Sequence, residues 1–164
     1  MTVLLPLLTL VADKTYVDYR TDVPPGWTRK TEKVLAEGAN EVNRLRMEFR
    51  PKGSSRSRGE GSITTISHHR PVVFANAVRD EVQKCREFGK LGEPVRVAPL
   101  TTADGRSVRV YVFPKGVGDG YQRLGFVQLP GGYAMFQLTA PSGAGRRLGD
   151  PAFNYVIGSF RHVP

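Results

Sequence analysis

The clearest alternation of apolar and polar positions runs from Asn43 to Arg50. Leu45, Met47 and Phe49 alternate with Arg44, Arg46, Glu48 and Arg50. A period of two with one apolar side predicts a strand buried on one face and wet on the other. Shorter runs with the same character cover Tyr16–Arg20 and Trp27–Val34, separated by the turn-forming Pro24-Pro25-Gly26. Pro51 to Gly61, rich in Gly, Ser and Arg, predicts a loop.

From Pro71 the period changes. Phe74, Val78, Val82 and Cys85 form a seam at helical spacing among Arg79, Asp80, Glu81, Lys84 and Arg86. This predicts a helix opening at Pro71, running to about Phe88 and stopped by Gly89. Beyond it come two strand pairs. Val95–Leu100 and Arg106–Phe113 flank Ala103-Asp104-Gly105, and Tyr121–Leu129 and Tyr133–Ala140 flank Pro130-Gly131-Gly132. Ser142–Gly149 predicts a small-residue loop. Asp150 then has the chemistry of an N-cap, Pro151 suits the first helical position, and Phe153, Val156, Ile157 and Phe160 make one apolar stripe.

The connections between strands are too short for crossovers, so the sheet is expected to be antiparallel. Two amphipathic helices need apolar sheet surface to cover. The expected fold is therefore α+β, with about six antiparallel strands flanked by helices. At 164 residues the chain is long enough for one domain with a sizeable core.

Residues 1–12 change the domain picture. They are apolar and uncharged and end at Ala12, before Asp13 and Lys14. Pro6 argues against a central strand, and the pattern is that of a secretory signal's apolar segment. The expected organisation is a signal-like stretch at 1–12 and a single domain over 13–164, with an exported protein as the consequence and a cytoplasmic one as the alternative. No apolar run reaches the roughly 20 residues of a membrane helix.

Charge bears on partners. The chain carries 24 Lys and Arg against 15 Asp and Glu, a net +9, and a surplus of five falls between Arg44 and Arg70. Such a balance favours acidic surfaces. Arg44, Arg46, Arg50, Arg56 and Arg58 are the candidate partner-contacting residues. Phe49 is the only aromatic in that stretch and its alternation turns it inward. Base-stacking platforms need exposed aromatics among the cations, so specific nucleic-acid binding is not expected.

Candidate chemistry is sparse. Cys85, the single cysteine, sits on a helical apolar seam and reads as a core residue, not a nucleophile. His68 and His69 are adjacent, so an extended backbone sends them to opposite faces, where they cannot share a metal. Gly116, Gly118 and Gly120 lie between strands with no helix after them, the wrong setting for a dinucleotide fingerprint. Ser142-Gly143-Ala144-Gly145 before Arg146 and Arg147 could hold an anion, but Asp150 as the cap would repel it. No catalytic, metal or cofactor residue is assigned.

The order of these elements resembles the PsbP-like superfamily, which includes the photosystem II extrinsic P subunit, the Ran guanine-nucleotide release factor and DcrB-type proteins. The resemblance spans about residues 16–161. It rests on Tyr19, on Val23-Pro24-Pro25-Gly26-Trp27, on the central helix from Pro71, on the four-strand meander, and on the ending Phe153 with Val156-Ile157-Gly158-Ser159-Phe160-Arg161. It implies an α/β/α sandwich and a non-catalytic binding or accessory protein that engages a protein partner by a sheet face or rim loops. No Ran-contacting or manganese-cluster residue of that family is matched here. Two other functions stay open: an intracellular chaperone or adaptor of DcrB-like type sheltering apolar segments of a secreted effector, and a small-ligand carrier or enzyme.

Overall fold

The computed structural model describes residues 19–34, 44–54, 60–69, 71–114 and 120–164. In chain order the elements are β1 (Tyr19–Arg20), β2 (Trp27–Val34), β3 (Arg44–Pro51), β4 (Ser62–His68), α1 (Phe74–Gly89), β5 (Val95–Thr101), β6 (Ser107–Phe113), β7 (Tyr121–Leu129), β8 (Gly132–Ala140), α2 (Gly143–Ser159) and β9 (Arg161–His162). Seven strands form one antiparallel sheet in the order β2-β3-β4-β8-β7-β6-β5, and β1 pairs with β9 in a separate two-stranded ribbon. The class is the expected α+β. The sheet has seven strands where about six were expected, and the ribbon is additional.

The alternation along the strands separates two cores. On one face Met47, Phe49, Ile63, Val108, Val110, Val127, Phe136 and Leu138 pack with Ala152, Phe153, Val156 and Ile157 of α2 and with Phe160. On the other, Phe113, Leu124, Phe126 and Tyr133 pack with Ala77 and Val78 of α1. The helices therefore cover opposite faces, and the layering is α/β/α. Met47 and Phe49 are buried while Arg46 and Arg50 are half-exposed, as the alternation requires. Register is firmly held here, because a slip of one residue would exchange the two faces.

Three helix boundaries differ from the sequence pattern. The last helix begins at Gly143, not Pro151. Ser142 is the N-cap, its Oγ accepting from the Gly145 N–H at 3.0 Å, and Asp150 with Pro151 lies inside the helix. Gly143, Gly145 and Gly149 weaken helix propensity and so read as loop. Their small size has another use: a Cβ on Gly149 would stand 2.6 Å from Leu138 Cδ1, so glycine lets α2 approach the sheet. The helix expected from Pro71 starts at Phe74 with Val73 as N-cap, since Pro-Val-Val offers no capping side chain. Its C-cap is Lys90, in the left-handed region at φ 49°, and Gly89 is its last residue.

The apolar–polar pattern does not predict strand β4. Ile63, Thr65 and Ser67 face one way and Ser62, Thr64, Ile66 and His68 the other, so neither side is distinctly apolar. It is nevertheless interior, between β3 and β8.

Candidate functional site

Of the five arginines singled out by charge, Arg46 and Arg50 lie on β3, on the face opposite Met47 and Phe49. Arg44 opens the same strand, and its side chain, like Arg56 and Arg58, lies outside the described residues. Pairing sets Glu32 across from Arg46 and Lys30 across from Glu48. The charges on this face largely satisfy one another. Arg50 Nε donates to Glu48 Oε1 at 2.7 Å, and Lys30 meets Glu32 at 2.6 Å. The exposed Lys30–Glu32 pair contributes little to stability, whereas Arg50–Glu48 is part-buried. Residues 1–12 and the loop glycines Gly116 and Gly118 also lie outside the described residues.

Cys85 and His68 both pack against neighbouring side chains. Cys85 is half-buried, and burial followed by the charge of Glu81 pushes its thiol above the usual range, against the small opposing effect of Lys84. A raised pKa keeps the sulfur protonated and weakly reactive. His68 stacks on Tyr133, with ring centroids 4.6 Å apart, and Tyr133 donates to Glu81 Oε1 at 3.2 Å, joining β4, β8 and α1. Among the described residues no group of three His, Cys, Asp or Glu side chains could hold a metal ion.

Asp150 has become the centre of a lock between α2 and β7. Tyr121 donates to Oδ1 at 2.9 Å, Arg123 stands 3.3 Å from the same oxygen, and Arg146 reaches Oδ2 at 3.5 Å. The two guanidiniums also cover rings, Arg123 over Phe153 at 4.9 Å and Arg146 over Tyr121 at 4.4 Å. Burial first, then the hydrogen bond and charge of Asp150, push the Tyr121 phenol up to about 12. With every oxygen of Asp150 engaged, this cluster fastens the helix to the sheet.

A groove with exposed apolar side chains lies beside that lock. The turn before β2 is closed by Trp27 N–H donating to Pro24 O at 3.0 Å, with Gly26 at φ 76°. The preceding residues run along the end of α2. Thr21 Oγ1 donates to Val156 O at 2.8 Å, and the Asp22 N–H donates to Ser159 Oγ at 3.0 Å. These bonds bring the proline turn against the helix and leave a groove of about 340 Å³ between them. Pro24, Pro25 and Trp27 line one side, and Leu148, Pro151 and Tyr155 the other, with Arg147 at the rim. Leu148 is 52% exposed and Tyr155 43%. Pro151, inside the helix, has no N–H to donate to the Arg147 carbonyl.

Composition drew attention to the arginines near β3 and away from this groove. Its parts are more than a hundred residues apart in the chain, and two of its lining residues, Arg147 and Leu148, belong to the segment whose composition predicts a loop. The only sequence signal was the Pro24-Pro25-Gly26-Trp27 turn. No protein-family model matches the chain, and no curated protein matches it.

Proposed function

We propose that this is a small, non-catalytic binding or accessory protein, and that it holds a protein partner at the rim between the proline turn and α2. The observation that carries the reading is the groove itself: an aromatic and proline-lined trough with an exposed leucine and tyrosine and an arginine at its edge. Trp, Tyr and Arg supply most of the binding free energy in characterised interfaces, and exposed apolar surface rimmed by charge marks such sites. Arg147 is exposed and makes no ion pair among the described residues. The partner chemistry that fits is an extended apolar peptide segment with a carboxylate beside it. The trough is sized for a few side chains, which favours recognition of a short segment over sheltering of a long apolar one.

Membership of the PsbP-like superfamily belongs to the same proposal. The α/β/α layering and the packing of the proline turn on the closing helix support it. Export is proposed from the apolar, uncharged character of residues 1–12 alone.

Selection of peptides from a random display library on the purified protein tests the groove reading. The selected peptides are expected to share an apolar core flanked by Asp or Glu. Tyr155→Ala and Leu148→Glu should each weaken them about tenfold or more, in line with the loss of a central anchor, while Arg46→Ala leaves binding unchanged. Selected peptides indifferent to both groove substitutions would overturn the reading.

A further inference from the structure

On the opposite rim of the molecule, the start of α1 overlooks a second cleft of about 450 Å³. Its floor follows from register. Arg96 pairs with Tyr111 across β5 and β6, and Arg109 pairs with Phe126 across β6 and β7. Ser107 and Gln128 share their parity, so all of these positions lie on the face that α1 covers. The helix begins only at Phe74, whose ring is held under the Arg109 guanidinium at 4.9 Å. The Ser107–Gln128 end of the face is thus left open. An irregularity in β5 between Val97 and Leu100 turns the edge strand there.

Three guanidiniums, those of Arg96, Arg106 and Arg109, line this space, and no carboxylate does. Arg106 is anchored, its Nε 3.1 Å from Asp104 Oδ2 and its Nη1 donating to Gln128 O at 3.4 Å. Arg96 and Arg109 make no ion pair among the described residues. Some arginines elsewhere face acids: Arg123 and Arg146 meet Asp150, and Arg79 meets Asp80. The start of α1 adds to the positive field, because no side chain caps it and its first turn holds no acidic residue.

We propose that this cleft binds a small anion bearing two phosphate-type groups. Guanidinium forks match phosphate oxygens two at a time, and two cations without a carboxylate partner leave the charge for a ligand to neutralise. The cleft is larger than one phosphate needs, which favours a diphosphate. Ser107 and Gln128 supply neutral hydrogen-bonding groups on the same floor.

Pyrophosphate titrated into the ¹⁵N-labelled protein at low salt tests this. Saturable shifts centred on the Arg109, Ser107 and Gln128 amides are expected, with Kd on the order of 0.1–1 mM. The double variant R96Q/R109Q should bind at least tenfold more weakly. The double variant R46Q/R86Q removes the same net charge from elsewhere and should bind as the unaltered protein does. Circular dichroism and Tm show whether each variant is folded, and R96Q alone, at an exposed position, serves if the double variant is not. Equal loss in both double variants, no saturation, or shifts spread over the whole basic surface would overturn the site. Vesicles containing diacylglycerol pyrophosphate, a lipid that carries the same diphosphate group, identify the source of the anion. Vesicle binding that pyrophosphate displaces assigns the site to a lipid headgroup, and pyrophosphate binding without it assigns the site to a free diphosphate.

Discussion

Asp104 shows how much one carboxylate can join. It accepts from Thr102 Oγ1 at 2.5 Å within its own turn, from Arg106 Nε at 3.1 Å, and from the backbone N–H of His162 at 3.1 Å, at the far end of the chain. Burial raises its pKa, but the hydrogen bonds from Thr102, His162 and Arg106 outweigh this and leave it below the ordinary value. A depressed carboxylate pKa contributes stability above its unfolded value, near 4, and loses it as pH falls through the folded value. Asp104→Asn should therefore unfold at lower urea than the unaltered protein at pH 7, and the difference should shrink as pH falls below the unfolded value of about 4. Tyr121 gives the opposite sign. Its pKa is raised to about 12, so its contribution is complete below the unfolded value of about 10 and disappears between about pH 10 and 12. Tyr121→Phe should cost about 1 kcal/mol at neutral pH, the value of one hydrogen bond. That deficit should shrink as urea titrations are carried up through this alkaline range.

At the level of elements, α2 is the piece most dependent on its packing. Phe160 is fully buried, stacking on Tyr19 at 5.3 Å and meeting Phe136 edge-on at 5.1 Å. Phe160→Ala should destabilise the domain by about 3–5 kcal/mol, while exposed Arg161→Ala should cost about 0.5 kcal/mol or less. The helix's glycines separate in the same way. Gly149 abuts Leu138, and Gly149→Ala should be destabilising by about 1–3 kcal/mol through overpacking. Gly158 has open space around it, and Gly158→Ala should stabilise by about 0.5 kcal/mol. Denaturant midpoints of the four variants check both contrasts. These glycines also explain what could be read from the chain and what could not. Phe153, Val156, Ile157 and Phe160 declared the buried stripe because contact with the sheet demands apolar side chains. The first two turns of the same helix were hidden, because close approach demands small residues that locally look like loop. β4 was hidden for a related reason: Thr65 and Ser67 are buried polar residues, so its inner face lacks hydrophobic contrast. The groove was invisible for a different reason, since it exists only where the turn at Pro24–Trp27 meets a helix from the other end of the chain.

For the molecule as a whole, the excess of positive charge is distributed over distinct surfaces. The β3 face carries pairs that largely neutralise one another, while Arg147 and the arginines of the β5–β6 hairpin stand at concave places on opposite rims. A net charge of +9 should still attract nucleic acid weakly, with affinity falling steeply as salt rises and no sequence preference. Filter binding against random competitor at 200 mM salt checks this expectation, and tight, sequence-selective retention would contradict it. No helix among the described residues is long and apolar enough to cross a membrane. Partner recognition at the groove is the central claim, and the chain carries its own probe there. Trp27 is its only tryptophan and lines the groove floor. The most direct measurement is Trp27 fluorescence during titration with a selected peptide. The account predicts a saturable change in emission that follows the binding curve and is lost in Leu148→Glu. Binding that leaves Trp27 emission unchanged, and that Leu148→Glu does not weaken, would contradict it.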